Sequence, residues 1–243
     1  MTGWPGLRGD HHVHSTFSDD AVSTLDENVA AARAVGLTEL RLVDHVRSST
    51  TWVPQFLAAV AAVRAAQPDD AIIIRSGVEA KLLDAAGHLD IPGDLVVGHG
   101  GVDRVLIADH QFPGPDGPWS PRRVLAERDN GLRPRQILDT LIDATVAAMQ
   151  RVARGQLAHP FSLLPKIGLT EHDLHPDHLV SLAKAAADTG TPVEVNEKWG
   201  CPGPSVIAAL RGAGVILVAC TDAHDARDVG RYRRVAQLTD GLP

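Results

Sequence analysis

The sequence predicts an α/β fold built as a TIM-like barrel of seven strands, and three observations support this prediction. Seven short segments rich in aliphatic or β-branched residues alternate with helical patterns. Strands that alternate with helices form a parallel sheet with right-handed crossovers. Polar residues, mostly histidines, close six of the seven segments. Only a closed barrel brings the carboxyl ends of all its strands around one opening, so this placement favours a barrel over an open sheet.

The first third of the chain is predicted to form a helix, a strand, a second helix and another strand in succession. A capping box followed by alanines predicts a helix over 25–35. The apolar residues of 37–44 predict a strand. Pro54 fits the first turn of a helix with one buried face, which residues 68–70 end. The β-branched run 71–79 then predicts a strand buried on both sides.

The middle of the chain continues the alternation with longer connections. The Gly- and Asp-rich segment 81–94 predicts a small hairpin, and 102–110 predicts a strand. Four prolines and two glycines in 111–121 predict a surface loop beside the strand ends. Apolar residues recurring every three and four positions predict the longest helix over 135–154. A short strand follows over 155–160 and stops at a proline.

The last third of the chain supplies the final two strands. An alanine-rich pattern predicts a helix over 178–187, and a β-branched segment predicts a strand over 192–196. A short helix is predicted over 205–210 and the last strand over 215–221. The tail over 228–238 is predicted to be helical and to pack against the outside of the barrel.

Length and composition narrow the class of protein. The 243 residues contain no segment typical of a linker, which predicts a single domain over 1–243. The sequence has no apolar run of about 18 residues that would span a membrane, and Met1–Asp10 does not resemble a secretory signal, so we expect a cytoplasmic protein. The formal net charge of −7 argues against a broad nucleic-acid surface. We therefore expect a small molecule as partner, with the oligomeric state left open.

The segment Asp10–Asp20 concentrates side chains that bind metals. His12 and His14 lie two residues apart, so on a strand their imidazoles point to the same face. Two nitrogens on one face can hold one metal ion, and imidazole suits zinc, iron and manganese. Asp19 and Asp20 follow after a short turn, and either could add a carboxylate oxygen.

Further polar residues close the later strands, where they would complete a site at the barrel mouth. They are His45, Glu79, His110, His159, Asp222 and His224. We expect the remaining histidines to lie outside this site. His11 alternates away from His12 and should face outward or pack under the barrel. The histidines of 172–178 recur every three residues, but Pro176 interrupts a helical face, which predicts a surface segment.

Five matching segments follow one another along nearly the whole chain. They are Asp10-His11-His12-Val13-His14 with Ser18-Asp19, Val43-Asp44-His45, Gly77-Val78-Glu79-Ala80, Ala158-His159-Pro160 and Thr221-Asp222-Ala223-His224. In these segments the sequence resembles the polymerase and histidinol phosphatase family, the PHP family. The resemblance implies a distorted TIM-like (β/α)7 barrel that holds two to three divalent metal ions, zinc, manganese or iron, and hydrolyses phosphoesters.

The resemblance also implies a role for each residue of the mouth. One ion would be held by His12, His14 and Asp222. Glu79 would bridge this ion to a second one bound by His110 and His159. A third ion would be held by Asp19, His45 and His224. Glu79, Asp222 and His224 are then expected to be catalytic, because they hold the ions that activate water and clamp the phosphate.

The expected function is a metal-dependent phosphoesterase that hydrolyses a small phosphorylated metabolite, as a histidinol phosphatase does. Basic residues near the ligands in sequence could orient the phosphate, and the candidates are Arg47, Lys81, Lys198 and Arg227. An amidohydrolase-type metallohydrolase is the alternative enzyme, although His45 and His224 supply ligands that it does not need. A metal-stabilised binding module without activity is the alternative outside enzymes.

Overall fold

The computed structural model describes residues 4–68 and 72–242, and within them nine strands and seven α-helices. The strands are β1 (Gly9–Val13), β2 (Glu39–His45), β3 (Ile73–Lys81), β4 (Arg104–Ala108), β5 (Phe112–Gly114), β6 (Gly117–Trp119), β7 (Gly155–Leu157), β8 (Val193–Asn196) and β9 (Leu217–Cys220). The helices are α1 (Leu25–Ala34), α2 (Val53–Ala65), α3 (Pro121–Asp129), α4 (Pro134–Arg151), α5 (Pro176–Thr189), α6 (Pro204–Gly212) and α7 (Arg234–Leu238). Short 3-10 helices lie at Pro5–Arg8, Leu164–Ile167, Glu171–Asp173 and Ala226–Asp228.

Seven parallel strands form one nearly closed barrel in the order β1-β2-β3-β4-β7-β8-β9. The chain beyond β9 returns to β1, where Val13 and Ala223 form a parallel bridge. The Asp222 amide donates to the His12 carbonyl at 2.9 Å, and the His14 amide donates to the Ala223 carbonyl at 2.8 Å. The predicted barrel of seven strands is therefore confirmed, and its closure brings the ends of β1 and β9 together.

The barrel interior is filled by small and branched side chains beneath the mouth. Val43, Leu106, Ala108 and Ala158 are fully buried and form one cluster. Gly77 of β3 faces the same space, since a Cβ there would lie 3.2 Å from both Leu106 and Val43. Below the ends of the strands the barrel is thus packed with side chains, which fixes the positions of the polar residues above them.

The helices pack their apolar faces against the outside of the barrel. The predicted capping box of α1 is present, with Thr24 accepting from the amide of Glu27. The largest core cluster joins α4 and α5 to the strands and includes Ile137, Leu138 and Leu182. Among the described residues, no helix combines the length and apolar character that crossing a membrane requires.

Two predictions for the middle of the chain were wrong. The proline-rich segment 111–121 was expected to be a loop but contains the hairpin β5–β6, in which Pro113 and Pro118 face each other. Proline is tolerated there because an isolated two-stranded hairpin leaves edge positions without a ladder partner. Helix α3 was not predicted, although Ser120 accepts from the Arg123 amide and Pro121 takes the first position. The predicted hairpin over 81–94 is reduced to one bridge between Leu82 and Leu89.

Other differences concern element boundaries. Pro176 begins α5 rather than interrupting a helix, because its missing amide hydrogen costs nothing in the first turn. His178 is consequently buried, with Nε2 2.7 Å from an Asp139 oxygen, and is not part of a surface segment. The tail is helical only over the short α7. Residues 69–71, which were expected to end α2 and begin β3, lie outside the described residues.

Candidate metal centre

The strand ends surround a cavity of about 410 Å³ at the mouth of the barrel. His45, Glu79, His110, Asp222 and His224 line it, together with both Asp19 and Asp20. His12, His14 and His159 lie directly beneath and are fully buried. Every residue predicted from the sequence as a metal ligand therefore lies at this one place in the fold.

Glu79 occupies the centre of the histidine cluster. Its strand β3 lies between β2, which ends on His45, and β4, which His110 follows. Its Oε1 atom lies 2.8 Å from Nε2 of His159 and 3.0 Å from Nε2 of His110. Its Oε2 atom lies 2.9 Å from Nδ1 of His45 and 3.4 Å from Nε2 of both His12 and His14. The two carboxylate oxygens thus face two separate groups of imidazoles.

His12 and His14 approach each other as two ligands of one ion would. Their Nε2 atoms lie 3.0 Å apart. The Oδ1 atom of Asp222 is 3.3 Å from Nε2 of His14 and 4.0 Å from Nε2 of His12. Together these three buried side chains present two nitrogens and one oxygen to the same point.

His45, His224 and an aspartate lie on the outer side of the cavity. The Oδ2 atom of Asp20 is 3.2 Å from Nε2 of His224 and 3.5 Å from Nε2 of His45. Asp19 also lines the cavity, but among the described residues it forms no salt bridge with these histidines. The sequence left the choice between the two aspartates open, and the structure brings Asp20 into contact.

A buried carboxylate holds His12 from behind. Glu194 of β8 is fully buried and accepts a hydrogen bond from Nδ1 of His12 at 2.9 Å. It also accepts from Gln156, from Asn196 and from the backbone amide of His159. Such a partner fixes the tautomer and the ring orientation, so that Nε2 of His12 is the nitrogen presented to the site.

Two serine and aspartate pairs hold the other buried histidines in the same way. The Ser18 hydroxyl donates to Asp44 at 2.7 Å and lies 3.2 Å from Nδ1 of His14. The Ser162 hydroxyl donates to Asp109 at 2.8 Å and lies 3.1 Å from Nδ1 of His159. Sequence reasoning missed these supporting residues. Their only signal was an acidic residue next to a ligand, as Asp44 is next to His45, or inside an apolar strand, as Glu194 is.

The backbone at two ligand positions adopts an uncommon conformation. His159 has a φ of 26° and Asp222 a φ of 55°, although neither is glycine. Left-handed backbone at such residues costs free energy and is found mainly at functional sites. Buried Asp10 helps to hold the second of these turns, since its carboxylate accepts from the amide and hydroxyl of Thr221 and from the amide of Gly230.

The electrostatics of the cluster favour ionised carboxylates beside imidazoles. Burial alone would raise the pKa of Glu79, but His110 and His12 outweigh it and hold the pKa well below its usual range. Burial likewise opposes the charged form of His159, yet hydrogen bonds with Asp109 and Glu79 raise its pKa to about 10. The carboxylates and imidazoles of the cluster therefore stabilise one another's charged forms.

The donor set fits divalent metal ions. Four overlapping groups of three donor atoms lie within 4.8 Å of one another. They are His12, His14 and Asp222; His12, Glu79 and His159; His45, Glu79 and His110; and His14, His45 and His224. The buried Oε2 atom of Glu79 lies near three imidazoles, but none of its contacts with the described residues has hydrogen-bond geometry, and a coordinated ion would satisfy this oxygen. Imidazole and carboxylate donors suit zinc, iron and manganese.

Three of the four predicted phosphate-binding residues reach the cavity. Arg47, Lys81 and Lys198 line it. Arg227 does not, because its guanidinium turns to Asp225 at 2.6 Å and its side chain is 87% exposed. Lys166 also lines the cavity and was missed, because it lies outside every matching segment and carries no spacing signal.

Comparison with known proteins identifies the family. A family model described as the PHP domain matches residues 10–198. The chain belongs to the PHP domain family. Proteins named probable phosphatase are similar to it along almost its whole length. One from Vibrio campbellii is 25% identical and one from Edwardsiella ictaluri 26% identical, with 96% and 94% of this chain and 84% and 83% of the relatives covered. The predicted family is therefore confirmed, and these findings bear out the predicted class, a phosphoric ester hydrolase.

Solved structures of PHP phosphatases share the fold. The chain superposes on a histidinol phosphate phosphatase from Lactococcus lactis, crystallised with zinc, L-histidinol and phosphate, with a TM-score of 0.66 at 15% identity; the superposition covers 94% of this chain and 89% of the other. A protein from Listeria monocytogenes assigned as a histidinol phosphatase gives a TM-score of 0.67 at 13% identity, with 92% and 97% covered. At these identities the likeness establishes the distorted TIM-like barrel.

Proposed function

We propose that this PHP domain is a phosphomonoesterase that hydrolyses a small phosphorylated metabolite at a centre of three divalent metal ions. The observation that supports it best is the position of Glu79. Its Oε1 faces His110 and His159, while its Oε2 faces His12, His14 and His45. A carboxylate between two groups of imidazoles is suited to bridge two ions and to reduce the repulsion between them.

We assign three ion positions to the donor groups. His12, His14 and Asp222 would hold the first ion, and Glu79 would join it to a second held by His110 and His159. His45 and His224 would hold the third, with Asp20 supplying the carboxylate, because Asp20 is the aspartate within 3.5 Å of both imidazoles. Asp19 remains the alternative carboxylate from the sequence. Zinc, manganese and iron all suit this set of donors.

The proposed reaction is the attack of water on phosphorus. The ions, when bound, acidify a water molecule enough to supply the nucleophile near neutral pH and neutralise the phosphoryl oxygens. A new bond forms between the water oxygen and phosphorus, the phosphorus to ester oxygen bond breaks, and the leaving oxygen takes up a proton to become an alcohol. Little further covalent chemistry is required of the protein, so its residues act by positioning and by charge.

Lys198 is suited to orient the phosphate. Its ammonium nitrogen lies 3.4 Å from Oδ2 of Asp222 and 3.3 Å from Nδ1 of His224, directly beside two proposed ligands. Trp199 donates from its indole nitrogen to the same Asp222 oxygen at 2.8 Å, which fixes that carboxylate. A phosphate at the centre would therefore meet a positive charge that is already in place.

Phosphate release is the direct test. The purified chain, loaded in separate samples with zinc, manganese or iron, should release phosphate from at least one member of a panel of phosphorylated metabolites, and chelation should abolish the release. The Asp222→Asn variant serves as the matched control for contaminating phosphatases. Stable binding of metal without hydrolysis of any ester would contradict the proposed activity and leave a binding module instead.

A further inference from the structure

The mouth of the barrel carries an excess of positive charge once the proposed metal ligands are set aside. Arg47, Lys81, Lys166 and Lys198 line the cavity. Of its carboxylates, only Asp19 falls outside the assigned donor groups. The chain as a whole has the opposite balance, with 30 acidic and 23 basic residues and a net charge of −7. The cavity, where a substrate would enter, is thus lined by cations although the chain as a whole is acidic.

Two of these cations already have partners. The ammonium nitrogen of Lys81 lies 3.4 Å from Oδ2 of Asp90, and that of Lys198 lies 3.4 Å from Oδ2 of Asp222. Arg47 and Lys166 form no salt bridge with any of the described residues. They follow β2 and β7, which lie on different sides of the barrel, so the two cations flank the opening.

Lys166 is the better placed of the two to bind a ligand. Its ammonium nitrogen lies 4.1 Å from the centroid of the Trp199 ring, and the indole in turn is anchored to Asp222. The backbone on both sides is held by the buried side chains of Leu164 and Ile167 in a short 3-10 helix. The cation therefore lies beside the cavity, against the indole that contacts the proposed metal ligand Asp222.

We propose that the leaving group of the substrate carries a second anionic group, a carboxylate or a phosphate, which Lys166 binds while the scissile phosphate occupies the metal centre. The inference rests on the proposed phosphomonoesterase function. A leaving group with a protonated amine would be repelled by Lys166, Lys198 and Arg47. The solved relative from Lactococcus lactis was crystallised with L-histidinol, an amino alcohol, and this chain should differ from it in that preference.

Binding of phosphonates tests the inference without relying on hydrolysis. The metal-loaded chain is titrated by calorimetry with 3-phosphonopropionate, propylphosphonate and 2-aminoethylphosphonate, which add an anionic, a neutral and a cationic end to the same phosphonate. We expect 3-phosphonopropionate to bind about tenfold more tightly than propylphosphonate, and the amine to bind more weakly than both. Ethane-1,2-bisphosphonate has the same spacer of two methylenes as 3-phosphonopropionate, so comparing the two shows whether a phosphonate or a carboxylate is preferred at the distal position.

Variants then test the assignment to Lys166. In Lys166→Met the preference for 3-phosphonopropionate over propylphosphonate should fall about tenfold, and Lys166→Arg should retain it because arginine also stacks on an indole face. Lys184→Met is the matched control, since Lys184 is a 71% exposed lysine on α5. Raised salt should reduce the preference of the parent, as expected for a charge contact near solvent.

The outcomes separate this inference from the proposed function. Equal binding of the three phosphonates, or a preference for the amine, overturns the anionic leaving group even if esters are hydrolysed. A preference lost in Arg47→Met but kept in Lys166→Met overturns the role of Lys166. A preference that depends on Lys166 in a chain that hydrolyses no ester supports the anion site and rejects the phosphomonoesterase.

Discussion

The Nδ1 atom of His12 lies 2.9 Å from Oε1 of Glu194, and neither side chain is exposed to solvent. Three further donors, from Gln156, Asn196 and the backbone of His159, also reach the Glu194 carboxylate. This carboxylate consequently ties β1, β7 and β8 together beneath the mouth. It also leaves Nε2 as the only ring nitrogen of His12 that can reach an ion beside Glu79.

The first prediction is that Glu194→Gln weakens metal binding. The amide keeps the size of the side chain but removes the charge that supports an imidazole bound to a cation. A supporting partner of this kind is typically worth 10- to 100-fold in metal affinity, so we expect a loss of about 10- to 100-fold. Titration of zinc against a competing chelator measures it.

Glu127→Gln on α3 is the control for this substitution. Glu127 is a partly exposed glutamate and lies outside the cavity lining. It should bind zinc as the parent does. If Glu194→Gln binds zinc with parental affinity while keeping its fold, then the orientation of His12 does not depend on Glu194.

The second prediction concerns Glu79, whose two oxygens face different imidazoles. If one carboxylate bridges two ions, Glu79→Gln should lose both of them together rather than one. Elemental analysis of the purified variant and parent gives the number of ions per chain. Loss of a single ion, or of none, would show that the bridging role is wrong.

The order of the strands and most of the site could be predicted because both follow from local patterns. A β-branched segment followed by a histidine or a carboxylate marks a strand and its carboxyl end, and parallel closure then requires these ends to meet. His45, Glu79 and Asp222 were found in this way. Metal content and the role of each ligand stay predictions until ions are measured.

The features that sequence reasoning missed depend on distant partners. Lys166 becomes significant only through Trp199, which approaches it from another strand connection. Asp20 and Asp19 are adjacent and chemically alike, so only the path of the chain shows which one approaches His224. The sequence predicts His178 in a surface segment. In the structure Pro176 begins α5, and the His178 imidazole turns inward to Asp139.

The third prediction concerns the stability of the fold rather than the metal site. Phe56 of α2 is fully buried and packs edge-on against Phe17 and Trp52. Phe56→Ala should lower the free energy of unfolding by about 3–5 kcal/mol, since it removes a large apolar surface and leaves a cavity. Chemical denaturation measures the change. Val180→Ala serves for comparison, because Val180 is 66% exposed. A change below about 1 kcal/mol for Phe56→Ala would mean that the core relaxes around the cavity.

The fourth prediction tests whether the metal centre performs the chemistry. His224→Ala and Asp222→Asn should each lower phosphatase activity by roughly 100-fold or more, because a lost ligand weakens the ion and raises the pKa of its water. Both variants should keep a melting temperature close to that of the parent, since residues at a barrel mouth contribute less to the core than apolar strand residues do.

His99→Ala is the matched histidine control for the fourth prediction. His99 is exposed in a glycine-rich loop and does not line the cavity. His175 would be a poorer control, because its side chain accepts a hydrogen bond at the start of α5 and its loss would also affect that helix. Activity, metal content and melting temperature are measured for all variants. Parental activity in both ligand variants would refute hydrolysis at this centre, whereas loss of activity in His99→Ala would place the site elsewhere on the protein.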